Sequence, residues 1–337
     1  MHHFSRFNRI LGVLTATVLV TAACGGSSSD DNGLETLRLA LTPNTQLLPI
    51  FAAIDSGAFE QAGIDLQIDT YQGAATAQIP RLVRGDIDLL PSTPSPSFFN
   101  SVTQGFDIKA ILSTGTTGEA GTPSLVTVGT AADEIRDYSD LRGRTIDSGA
   151  DGSVIQVDAL EAIAKGGLTE SDLTIEKNAK TAADMLALAR NQSADVISTI
   201  EPVGSQIERL GLGKRWKVMN ETAPWYPQVI IAASSVSLDQ KSDAIEKFSR
   251  AYLKTIREIN AQNGKWTDEY SASLAKWTGI APADFTVDPM PTFDEKGTIT
   301  AETLSRIQDI WMKQNLIQQE VDVTGLVDES IAERSAN

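Results

Sequence analysis

From residue 36 onward the sequence alternates between short apolar runs and helical stretches, and this alternation leaves few folds open. "TLRLALT" (36–42) has the period of a strand, and "LLPIFAAIDSGAFEQAG" (47–63) reads as a helix closed by Gly63. "IDLQIDTYQG" is strand-like, "AATAQIPRLVRG" helix-like with a proline near its middle, and "DIDLLPST" a strand again. "SPSFFNSVTQG" and "DIKAILSTG" repeat the scheme. Further on, "RTIDS" is a short strand, after which Val154, Val157, Leu160 and Ala164 form one helical face stopped by Gly166 and Gly167. "DLTIEKN" is a strand. Thr181 to Gln192 is a helix, with Thr181 and Asp184 spaced as a capping box, and "DVISTIEP" ends the run. Strands alternating with helices of about 10–15 residues predict a mainly parallel sheet covered by helices on both faces.

The pattern also repeats within itself. "RGDIDLLPST" aligns with "NQSADVISTI", pairing Asp88 with Asp195 and Ser92 with Thr199. Each copy is a helix, a short gap, an aspartate, an apolar strand and a terminal hydroxyl, which suggests two lobes built to one plan. The 337 residues suffice for two cores. The C-terminal third is mostly helical, with one apolar stripe at Ile245, Phe248, Tyr252, Ile256 and Ile259 and another at Leu304, Ile307 and Trp311.

Residues 1–23 read as an export signal. Arg6 and Arg9 precede an apolar stretch, Ile10 to Ala23, that is too short for a comfortable membrane span. It ends "LVTAAC" at Cys24, the only cysteine, followed by the Gly/Ser-rich tether "GGSSSDDNG"; residues 24–34 are expected to be flexible. After Cys24 no apolar run is long enough for a transmembrane helix. Both histidines, His2 and His3, lie in the segment that export would remove. The mature chain then lacks Ser-His-Asp and Cys-His catalysis, and lacks His or Cys metal sites. The formal charge of −16 excludes a nucleic-acid binder, which needs basic surface to displace counterions. No GxxxxGK[ST] motif occurs, so neither a nucleotide nor any other cofactor is expected, and no metal.

Four motifs in order resemble the ABC-transporter solute-binding proteins of the group that takes sulfonates, nitrate, taurine and thiamine precursors. They are Gly57, Phe59, Gly63 and Ile64; Leu82, Gly85 and Asp88; the segment Asp140 to Arg144; and Asp195, Glu201 and Pro202. "LVTAAC" likewise resembles a bacterial lipobox, implying lipidation of Cys24 and anchorage on the outer face of the cell membrane. The resemblance covers residues 37–210 and implies a type II periplasmic-binding-protein fold. Two doubly wound α/β lobes would join through two crossover strands, at 124–130 and 228–234. Lobe one would comprise residues 35–126 and 232–330, and lobe two residues 127–231. The implied function is a monomeric, non-enzymatic binding subunit that delivers a small molecule to a membrane permease served by a cytoplasmic ATPase. The membrane would be touched through the lipid alone. An enzyme on the same fold, such as a pyrimidine synthase or a dehydratase, is the rival class, and a ligand-presenting sensor subunit is the third.

Ligands of open parallel sheets lie beyond the carboxyl ends of the strands. Those ends give Asn44 and Gln46, Tyr71 and Gln72, Ser92 and Thr93, Thr114, then Asp151, Gly152 and Ser153, and last Glu201 with Trp225 and Tyr226. The set is rich in hydroxyl, amide and aromatic groups and contains no Lys or Arg. Asp151 is either a helix N-cap or a ligand partner, and Glu201 either a structural acid or a ligand partner. If both face the ligand, with Asp147 nearby, they favour a neutral or cationic nitrogen-bearing molecule stacked on Trp225 or Tyr226, resembling a thiamine precursor. A sulfonate stays open, because backbone amides alone can hold one.

Overall fold

The computed structural model describes residues 33–115, 123–286 and 288–335; Cys24 and the export signal lie outside them. Ten strands form two sheets: β1 (Glu35–Leu41), β2 (Ile64–Thr70), β3 (Leu89–Ser92), β4 (Ile108–Ser113), β5 (Ser124–Val128), β6 (Thr145–Asp147), β7 (Thr174–Glu176), β8 (Val196–Thr199), β9 (Gly213–Val218) and β10 (Ile230–Ser234). The first sheet has the order β2-β1-β3-β10-β4 and the second β7-β6-β8-β5-β9. In each, the first three strands are parallel and the fourth is antiparallel to both neighbours.

The two sheets are therefore one topology used twice, as the internal repeat predicts. The paired aspartates show why the motif recurs. Asp88 Oδ2 accepts the backbone N–H of Arg38 in β1 at 2.8 Å, and Asp195 Oδ2 accepts that of Thr145 in β6 at 2.8 Å. The backbone N–H of each aspartate returns the bond, to Arg38 O at 2.7 Å and to Thr145 O at 2.8 Å. In both lobes a carboxylate sets the register of a new parallel strand against the first one.

Both faces of both sheets are covered, so each strand divides its side chains between two cores. Leu37, Leu39 and Leu41 of β1 and Ile231 and Ala233 of β10 face one core, which the helix Ser235–Asn260 closes with Ile245, Phe248, Tyr252, Ile256 and Ile259. Ala40, Ile230 and Ala232 face the other, closed by Leu304, Ile307 and Trp311 of the helix Ala301–Lys313. In the second sheet Leu125 and Val196 face one core, and Val126, Val128 and Ile197 the other.

The presumed crossover strands belong to one sheet each. β5 pairs with β8 and β9 from Ser124 onward, and β10 pairs with β3 and β4 from Ile230 onward. On its return the chain therefore passes between lobes over residues 219–229, before β10 rather than along it, because an antiparallel fourth strand satisfies its ladder within one sheet. Among the described residues no helix is long and apolar enough to cross a membrane.

Candidate functional site

A cavity of about 170 Å³ opens at the carboxyl edge of the first sheet. Its lining draws on four strand ends: Thr42 and Asn44 after β1, Tyr71 and Gly73 after β2, Pro91, Ser92 and Thr93 at the end of β3, and Val229 before β10. The lining contains no charged side chain. Asn44 caps the short turn Thr45–Leu47 by accepting the Gln46 backbone N–H at 3.0 Å, and the Thr42 hydroxyl donates to Tyr71 O at 2.9 Å. Burial raises the Tyr71 phenol above its ordinary value, the Thr42 side chain near the phenol opposing it, so the phenol stays protonated at neutral pH. Asn44, Tyr71, Ser92 and Thr93 are thus brought together as the strand-end rule anticipates. Leu47, Ala75, Pro91 and Val229 complete the wall. Val229 arrives from more than a hundred residues beyond its neighbours, and nothing local in the sequence marks it.

The other anticipated residues do different work. Gln72 is exposed outside the cavity lining, and Gln46 contributes its backbone to the Asn44 cap. Thr114 is buried, and both its N–H (2.9 Å) and its hydroxyl (3.3 Å) donate to Val229 O, which fixes the edge of the wall. Tyr226 is buried in the apolar core of the first lobe. Trp225 has the Arg306 guanidinium 3.8 Å from its ring centroid, and its indole N–H lies 3.4 Å from Glu161 Oε2. The pair is held by protein and offers no open stacking platform, contrary to the expectation from sequence.

The loop "IDSGADGS" resolves into a tied turn. Asp147 is fully buried and its carboxylate accepts backbone N–H groups from Gly149 (3.0 Å), Asn178 (2.9 Å) and Ala179 (3.2 Å). Asp151 is paired with Lys177 at 2.5 Å and accepts from Gln156 Nε2 at 3.0 Å. The Lys177 bond, the largest influence, holds the Asp151 carboxyl below its ordinary value. Asp151 is not the N-cap; that position belongs to Ser153, whose Oγ accepts the Gln156 N–H at 3.3 Å. Neither aspartate lines the cavity, so the charge that argued against an anionic ligand is already satisfied by the protein.

Gly152 has φ of 77°, and a β-carbon there would stand 2.9 Å from Pro96 Cδ, at the start of the first-lobe helix Pro96–Thr103. The second lobe therefore meets the first at Pro96, three residues along the chain from Thr93 of the cavity lining, at a point where only a glycine fits. Glu201 also reaches the first lobe. It adjoins Thr45 and Asp288, and its partners are Arg215 and Ser205 rather than the cavity. Sequence reasoning did not find Arg215, Asp288 or Lys177, since each is a partner distant along the chain.

Two α/β lobes of one topology, with an uncharged cavity at the strand ends of the first, define a bilobal binding-protein architecture. The sequence model of the NMT1/THI5-like family matches residues 44–263, and the chain belongs to that family. No curated protein matches in sequence. Among solved structures, the periplasmic aliphatic sulphonate-binding protein SsuA from Escherichia coli is similar with a TM-score of 0.69 at 17% identity, over 88% of this chain and 92% of that one. The alkanesulfonate-binding SsuA from Xanthomonas axonopodis pv. citri, bound to MOPS, gives 0.63 at 17%, over 87% and 98%. The periplasmic nitrate-binding protein NrtA from Synechocystis PCC 6803 gives 0.65 at 13%, over 90% and 88%. At these identities the likeness establishes the type II periplasmic-binding-protein fold.

Proposed function

We propose that this protein is the extracytoplasmic substrate-binding component of an ABC importer, a monomer lipid-anchored through Cys24, which traps a small organic solute between its lobes and presents it to a permease. The observations that carry this reading are the uncharged cavity of about 170 Å³ with hydroxyl, phenol and amide groups at the strand ends of the first lobe, and the contact of Gly152 in the second lobe with Pro96 in the first. Its volume is small beside the roughly 300–1,000 Å³ of drug-sized sites, which favours a compact ligand. With Asp147 and Asp151 satisfied internally, the lining suits a sulfonate or an uncharged nitrogen heterocycle, and the earlier preference for a cation loses its support. Ligand bridging both lobes shifts the open–closed balance by its extra affinity for the closed form.

Calorimetric titration with alkanesulfonates, nitrate and thiamine precursors tests this. One class should bind saturably without turnover, and Asn44→Ala should weaken that binding about tenfold, as expected when a bound polar ligand loses its partner. Absence of binding across the panel, or product formation from a bound compound, would refute the reading.

A further inference from the structure

The contact between Glu201 and the first lobe holds more carboxylate than its cation can balance. Arg215, in β9, places Nη2 3.3 Å from Glu201 Oε1 and 3.3 Å from Asp288 Oδ1. Glu201 follows β8 in the second lobe. Asp288 is anchored to the first, where the Trp266 indole donates to its carbonyl at 2.9 Å and the neighbouring Phe285 and Met290 enter the first-sheet core. Ser205 sits at the centre. Its Oγ contacts Glu201 Oε2 at 2.7 Å and also meets Asp288 Oδ2 and Arg215 Nη2.

A hydroxyl has one proton to donate, and a guanidinium only donates. Ser205 can therefore donate to one carboxylate, and its contact with the second requires that carboxyl to bring a proton of its own. Glu201 Oε1 is buried with no partner beyond its ion pair with Arg215 Nη2, which Asp288 shares, so one guanidinium faces two carboxylates here. Glu201 is the more enclosed acid, with its side chain 8% exposed against 21% for Asp288.

We propose that Glu201, Ser205, Arg215 and Asp288 form a proton-operated latch, in which closure of the lobes takes one proton from solvent onto Glu201 and opening returns it. One proton makes the cluster neutral. Burial, the largest influence, raises the Glu201 carboxyl above its ordinary value; Arg215 and Ser205 oppose this and Asp288 adds to it. The charged groups that act on it are Arg215 and Asp288, and the other residues lining the small cavity at Glu201 (Thr45, Pro202, Trp266, Phe285, Pro289 and Pro291) carry no charge. Because the carboxyl's affinity for protons is higher closed than open, the closed form gains in full below the open-state value and loses the gain as pH rises through the closed-state value. The cluster borders Thr45, next to Asn44 of the cavity, so the latch acts on the cleft rather than on the ligand directly.

The proposal rests on the closing-cleft reading above, but its test needs no ligand. Solution X-ray scattering of the ligand-free chain over a range of pH should show the radius of gyration growing as pH rises past the ordinary glutamate values, with the closed-to-open ratio changing at most about tenfold per pH unit for one proton. Glu201→Gln should stay compact across the range, and Asp288→Ala extended across it; Ser205→Ala, a milder change, should weaken the pH response. Circular dichroism confirms folding of each variant. A radius independent of pH, or one profile shared by the native chain and Glu201→Gln, overturns the latch. An empty titration panel would instead overturn the transport reading and leave the scattering result standing.

Discussion

Asp158 is a carboxyl sealed from water. It lies on the helix Val154–Lys165, is fully buried, and accepts the Thr222 hydroxyl from the segment that returns the chain to the first lobe. Burial pushes it up to about 7, the Thr222 bond opposing that rise and the charge of Glu221 adding to it. The unfolded chain would hold it near the ordinary carboxylate value of about 3.9. A folded-state value raised in this way gives stability that is complete below about 3.9 and is lost as pH rises through about 7. Thermal melts should therefore show stability falling between about pH 4 and about pH 7, by up to about 1.4 kcal/mol per pH unit from this one group, and levelling above about pH 7. Asp158→Asn keeps an acceptor for Thr222 and should flatten that part of the curve. If the variant and the native chain lose stability in parallel, the carboxyl is not the source.

The turn and helix from Asp147 to Lys165 show what a sequence reveals about an element. Ser153 alone caps that helix, accepting from Gln156 N–H and donating to Ala150 O at 2.6 Å. Ser153→Ala should cost about 1 kcal/mol, read as a fall of about 2 °C in melting temperature, and Ser153→Asp should restore most of it. A melt unchanged by Ser153→Ala would show that the loop, tied at Asp147 and Asp151, holds the helix start without its cap. The existence of this helix was legible from its period and its glycine stop, and so was the Thr181–Asp184 capping box of the next one. Its face was not. Ala164 is exposed, while Ile155, Ala159, Ala162 and Ile163 are buried, because the helix packs on two sides and a single-stripe reading sees only one. Pro80 adds a detail: it lies in the first turn of the helix Ile79–Val83, which continues directly from the tight helical turn Ala75–Gln78, so the stretch stays helical with its proline near the middle. The first-lobe half of the site was legible because strand ends and turn residues carry local signals. The second-lobe half stayed open because Asp151 and Glu201 are tied by Lys177 and Arg215, partners that no local pattern announces.

At the scale of the whole molecule, the lobes are tied beside the return connection as well as at Glu201. Arg306, on the first-lobe helix Ala301–Lys313, pairs with Glu161 of the second-lobe helix at 2.7 Å and covers the Trp225 ring between them. An exposed ion pair alone contributes little, but here the same guanidinium also makes a cation–π contact with an indole that is itself bonded to Glu161. The three groups hold the connecting segment 219–229 against both lobes, and that segment must adjust whenever the lobes rotate. Arg306→Met keeps the apolar stem and removes both polar contacts. Its expected effect is faster hydrogen exchange of the amides at 219–229, with protection of β2 and β8 unchanged, since those lie in cores that neither Arg306 nor Trp225 enters. Arg334→Met is the control: its pair with Glu246, at 3.3 Å, lies within the first lobe and should leave the connection as protected as in the native chain. Equal exchange at 219–229 in the native chain and in both variants would mean that the connection is held by its own packing, through Tyr226 and Met219 in the first-lobe core, and that Arg306 is incidental to the motion of the lobes.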